Sequence, residues 1–105
     1  MLNNCIIVGR LTSDIEINDD KSTMILAVPR RTKNEEGIYE TDNIKVDLSL
    51  PIAKNTAEYL KIGDLLSVKG RLENRNIGNS DDKELTLIAE RIAFLSSRKQ
   101  DEMER

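Results

Sequence analysis

The chain has 105 residues, 16 of them Lys or Arg and 19 Asp or Glu, for a net charge of −3 with 38% hydrophobic residues. That is the size of one domain with a modest core, which excludes a multidomain enzyme, and its charge is not that of a generic polyanion-coating protein. Histidine is absent and Cys5 stands alone, so no Cys/His metal cluster, no disulfide framework and no histidine proton relay can be assembled, and neither a cofactor nor a metal is expected.

Asn4 to Leu11 is β-branched and apolar, interrupted by Gly9 as at a bulge or a close backbone approach, and is expected to be a strand with Cys5 as a small buried hydrophobe. A polar turn, Asn18 to Ser22, leads to a second strand from Thr23 to Val28, stopped by Pro29, which cannot donate to a ladder. Residues 33–42, KNEEGIYETD, form a polar hairpin connection. Ile44, Val46, Leu48 and Leu50 then alternate against Asn43, Lys45, Asp47 and Ser49, the period of a strand with one face in the core.

Pro51 opens a short helix to Leu60 with Ala53, Ala57 and Leu60 on one side, followed by Lys61 and Gly63 as a helix C-terminus favours. From Leu66 the period returns to two. Leu66, Val68, Gly70 and Leu72 face inward, while Lys69, Arg71, Glu73, Arg75 and Ile77 face outward, with a possible bend at Gly70. After the turn at 78–82, Leu85, Leu87 and Ala89 alternate until the phase slips near Glu90 and Arg91, as at a bulge, before Ile92 to Leu95. Residues 1–97 make one domain and 98–105 a charged tail.

Three strands, one helix and two strands match an all-β, five-stranded Greek-key OB barrel with its helix between the third and fourth strands. No stretch is long and apolar enough for a transmembrane helix, and the start lacks a signal-peptide pattern, so a cytoplasmic protein without a membrane partner is expected. The acid pairs Asp19–Asp20 and Asp81–Asp82 lie in turns with no nucleophile or metal-ligating partner nearby, and no enzyme is expected.

The segments NNCIIVGRLTSDIEI at 3–17, TMILAVPRR at 23–31 and AEYLKIGDLLSVKGRLENR at 57–75 resemble the bacterial single-stranded DNA-binding protein family. The most specific pieces are Gly9-Arg10-Leu11 with Asp14, and Tyr59-Leu60 spaced before Gly63 and Gly70-Arg71-Leu72, and the resemblance covers residues 2–96. It implies an OB fold that associates into homodimers or homotetramers and holds single-stranded DNA during replication, recombination and repair.

Four positions that carry stacking aromatics in that family align here with Thr32, Asn43, Ser49 and Ile77, and none has a π face. Base–aromatic stacking contributes about 1–3 kcal/mol per base, so binding must lean on charge. The candidate contacts are Lys45, Lys69, Arg71 and Arg75 on the outward strand faces, joined by Arg10, Arg30, Arg31 and Lys33. Tyr39 is the one aromatic placed to substitute in stacking. Ile77 is an apolar shelf or, more simply, a protomer contact, and Tyr59 and Phe94 are expected to be core or helix-packing residues.

Two features oppose this reading. Basic residues on outward positions are commonly just solvated or paired across strands, here with Asp47 and Glu73, and both hairpin loops, 33–42 and 78–97, are acidic. The family's flexible acidic tail also has no counterpart before Arg105, so recruitment of partners by that route is not expected. The alternative is therefore a protein-interaction OB module of the replication machinery, similar to primosomal replication protein B, with little DNA binding and with replication proteins as partners.

Overall fold

The computed structural model describes residues 1–18 and 21–97. The Asp19–Asp20 pair and the charged tail at 98–105 lie outside the described residues. Seven elements follow in order: β1 (Cys5–Leu11), β2 (Glu16–Ile17), β3 (Ser22–Pro29), β4 (Thr41–Leu48), α1 (Leu50–Ala57), β5 (Leu65–Asn76) and β6 (Lys83–Ser96). The sheet runs β1-β5-β6-β4-β3-β2, and an additional β1–β3 pairing closes five of the strands into a ring, with β2 a two-residue addition on β3. This is the expected OB barrel.

Closure depends on two glycines. β1 pairs with β5 from Cys5 to Arg10 and reaches β3 only at Arg10 and Leu11, so it must turn from one neighbour to the other. Gly9 sits at the turn, where an added Cβ would fall 2.7 Å from the Ala27 carbonyl oxygen. At Gly70, an added Cβ would run into the Ile88 backbone carbonyl, and opposite it the register skips Glu90, passing from Lys69↔Arg91 to Gly70↔Ala89. That is the phase slip predicted near Glu90. A second register shift passes over Leu95.

The core is built from the inward rows: Leu11, Met24, Leu26, Val46, Leu66 and Val68 are fully buried. The helix closes one end with Ala53, Thr56 and Leu60, whereas the sequence pattern put Ala57 on the buried side. Ala57 is exposed, because Thr56 hides its hydroxyl by donating to the Ile52 carbonyl oxygen at 2.7 Å and so takes the inner position. Regular helix ends at Ala57 rather than Leu60, and Leu60 reaches the core from the following turn. Asp64, also buried, accepts from the Lys61 amide, while its own carbonyl accepts from the Leu11 amide and the Gly63 amide donates to the Leu11 carbonyl. Gly63 has φ +98, a conformation glycine adopts at little cost.

Beyond Gly70 the β5–β6 hairpin leaves the barrel as an arm. Leu72 and Leu85, on the inward phase of their strands, are exposed there, and the expected inward role of Leu72 is corrected accordingly. Tyr59 and Phe94 are also about half exposed, at 48% and 46%, and do not belong to the core. Cys5 is half-buried at the core's margin.

Candidate functional site

The arm and β4 bound a groove of about 420 Å³ whose lining includes Asn43, Lys45, Asp47, Arg75, Ile77 and Thr86. A second hollow, of about 330 Å³, is lined by Ser49, Leu50, Arg71, Arg75, Asp47 and Ile88, among others. Lys21, Asp47 and Arg75 line both, so the two form one track along the outward face of β4 and the base of the arm. Three of the four positions that lack stacking rings, Asn43, Ser49 and Ile77, lie on this track. Thr32 does not line it.

The charges on the track are interlocked. Arg71 Nε donates to Glu73 Oε2 at 2.7 Å and its Nη1 to Glu90 at 3.3 Å, while Arg75 Nε donates to the other Glu73 oxygen at 3.3 Å. Arg75 also forms an ion pair with Asp47 at 3.5 Å. The hydrogen bond to Glu73 raises the Arg71 pKa above the ordinary guanidinium value, and in return Arg71 holds the Glu73 carboxyl below the usual range against the opposing effect of partial burial. Asp47 and Glu73 are the partners that the sequence offered as the alternative to phosphate, but only Asp47 pairs from another strand: Glu73 lies on β5 itself, two residues from each arginine, and the second cross-strand partner is Glu90 of β6.

The remaining candidates fall elsewhere. Arg30 donates to Asp42 and Glu40 across the β3–β4 hairpin, at 3.0 Å in each case, and lines neither groove. Its bond with Asp42 raises the arginine's pKa and lowers the carboxyl's. Arg31 is in the same exposed hairpin, where Lys33 stacks its ammonium 5.5 Å from the centroid of Tyr39, itself 55% exposed. Arg10 donates to the Gly63 carbonyl and borders a different, apolar hollow with Val8, Ala27, Pro29 and Leu65. Lys69 is exposed in a row with Ile6 of β1 and Arg91 of β6. Lys45 and Lys69 have no ion pair among the described residues.

Lys21 and Thr86 were missed by the sequence reading. Lys21 stands beside the first β3–β4 register pair, Ser22↔Leu48, and only the folded hairpin brings it next to the arm. Among the described residues no group of acidic, histidine or cysteine side chains is placed to hold a metal ion, and no helix is long and apolar enough to cross a membrane.

The model of the single-strand binding protein family matches residues 2–95. The chain belongs to that family. Family members similar to it include a single-stranded DNA-binding protein of Streptococcus mutans, 35% identical over 93% of this chain and 65% of the relative, and one of Bacillus cereus, 38% identical over 93% and 62%. The chain thus spans somewhat under two thirds of the length of these relatives. A solved Plasmodium falciparum SSB complex with single-stranded DNA superposes with a TM-score of 0.71 at 21% identity, covering 91% of this chain and 96% of the other, which establishes the OB fold. The family is defined by binding rather than by a reaction.

Proposed function

We propose that this protein binds single-stranded DNA without reading a defined sequence, as a cytoplasmic homo-oligomer serving replication, recombination or repair. The observation that carries this reading is the continuous track on which Asn43, Ser49 and Ile77, the positions aligned with the family's stacking residues, lie among Lys45, Arg71 and Arg75. Lys45 offers its ammonium to a phosphate directly, whereas Lys69 lines neither hollow and is exposed in the row of Ile6 and Arg91, so it is reached only by a strand that leaves the track. Arg71 and Arg75 must first exchange carboxylates for phosphates, and Arg10, Arg30, Arg31, Lys33 and Tyr39 extend the path only if the strand wraps beyond the track.

Self-association has its own support. Among the described residues β1 leaves one edge unpaired from Cys5 to Gly9, its outward Ile6 and Val8 are 64% and 46% exposed, and Val8 borders an apolar hollow. An open edge beside exposed apolar side chains is a ready template for a second copy.

The test is a salt series of binding to a mixed-sequence oligonucleotide, compared with the variant carrying Lys69→Glu, Arg71→Glu and Arg75→Glu. Log affinity should fall steeply with log salt, and the variant should bind more weakly with a shallower slope. A flat response that the variant leaves unchanged would overturn the reading. One observation favours the alternative of a docking module for replication proteins: Arg30, Arg71 and Arg75 are all held by carboxylates of their own chain. Under that alternative the chain retains a replication helicase or primase while the salt series shows no DNA binding.

A further inference from the structure

Asp47 is the anomaly of the track. It sits on the outward phase of β4, yet it is 6% exposed, and its Oδ1 is shielded from solvent with no hydrogen-bond partner among the described residues. Its other oxygen has only the 3.5 Å ion pair with Arg75, longer than a charge-assisted hydrogen bond. A buried carboxylate oxygen without a donor is costly to maintain, and this one stands on both hollows of the face argued above to hold nucleic acid.

Unpaired nucleotides expose their Watson–Crick edges, so a groove can read them by hydrogen bonding even where it cannot stack on them. A carboxylate, being only an acceptor, selects bases by their donors, and of the two pyrimidines only cytosine carries an exocyclic amine, the N4 group that Asp and Glu also accept from in duplex readout. Thymine has a single N3–H flanked by two carbonyl oxygens, which a carboxylate repels. One cytidine nucleotide carries a group for each partner of the ion pair: its phosphate can draw Arg75, whose side chain is 41% exposed, from Asp47 Oδ2, and its amine can then donate to the carboxylate in place of the guanidinium.

We propose that Asp47 is a base-reading residue that accepts the N4 amine of a cytosine seated between β4 and the arm, giving the protein a preference for cytidine tracts over thymidine tracts. The inference rests on the single-stranded DNA reading above and adds a base preference at one point of the track. Asn43 and Thr86 on the same groove supply polar groups for the rest of the ring edge.

The experiment compares oligo(dC) with oligo(dT) of equal length at fixed salt and mildly alkaline pH. The phosphate contribution is then common to both, and the difference reports the base. Oligo(dC) should bind roughly tenfold tighter, the worth of one hydrogen bond to a charged acceptor. Asp47→Asn should bring the ratio close to one, the release of Arg75 acting on both tracts alike. Should that variant fail to fold, oligo(dC) methylated twice on N4 provides the same test on the unaltered protein and should bind no better than oligo(dT). Equal binding of the two unmodified tracts, or a preference that survives both Asp47→Asn and N4 methylation, would overturn the proposal and leave the DNA-binding reading standing. Failure to bind either tract, or the mixed-sequence oligonucleotide, would overturn that reading and this inference with it.

Discussion

Glu73 is the residue whose two oxygens tie both arm arginines together, so its replacement separates internal pairing from DNA binding. Glu73→Gln removes the charge and keeps the shape, leaving Arg71 and Arg75 more available to phosphate. Affinity for a mixed-sequence oligonucleotide at low salt should rise by roughly threefold, with a steeper salt slope, measured by fluorescence titration. The same pair sets a pH signature. Glu73 is held below the ordinary carboxylate range chiefly by its hydrogen bond from Arg71, so its contribution is present above the unfolded-state value and is lost as pH falls through the lowered folded value. A urea series at stepped pH should show the native protein losing stability relative to Glu73→Gln only on entering the carboxylate range, with no divergence from neutrality down to its upper edge. The sequence offered Asp47 and Glu73 as partners of the basic row, but not which arginine each would hold, nor the share that Glu90 takes. Alternation put Asp47 outward and Glu73 beside two arginines, but that Asp47 is buried follows from the arm and Lys21 converging on β4, a long-range event with no local periodicity.

At the scale of elements, the strands were legible wherever one face is core and the other solvent. Ile44 to Leu48 and Leu66 to Gly70 show the clean period of two that such a boundary imposes, and the slip at Glu90 was visible because a bulge breaks that period. β2 was not, since two exposed residues at the end of a ladder have no face to bury. The helix face was misphased for a related reason: Thr56 is polar by type but spends its hydroxyl on its own helix. Gly70 carries the sharpest consequence. Its missing side chain lets the bulged β6 backbone approach at the root of the arm, and the atom in the way is a backbone carbonyl, which cannot rotate aside. Gly70→Ala should destabilise the fold by about 2–3 kcal/mol, as overpacking at a fixed backbone does. The loss should appear as a lower urea midpoint with unchanged slope at fixed protein concentration. By contrast, Gly37 and Gly78 have open space around the missing Cβ, and alanine there meets only the strain of a positive φ in an exposed turn.

At the scale of the whole molecule, the track and the exposed apolar pair of β1 occupy different places, since neither Ile6 nor Val8 lines the track. The track runs between β4 and the arm, whereas Ile6 and Val8 project from β1 in rows that β5 and β6 continue as Lys69 with Arg91 and as Ser67 with Ala93. On the proposed self-association through β1, the face where copies meet leaves each track uncovered, and a strand of DNA long enough to leave one track is expected to engage that of the neighbouring copy. Joining two tracks makes the second engagement intramolecular, and apparent affinity for a long strand then exceeds that for a short one by far more than the number of added phosphates explains. Replacing the apolar pair, Ile6→Asp with Val8→Asp, should release monomers, since each new carboxylate would have to be buried unpaired at the interface. The substituted side chains are exposed in the single chain, so the fold should survive. Sedimentation should show the change in mass. Titration should show affinity for a short oligonucleotide little altered and affinity for a long one reduced at least tenfold. If short and long strands lose affinity alike, the apolar face and the track are one site; if the mass does not change, the open edge of β1 is not where copies meet.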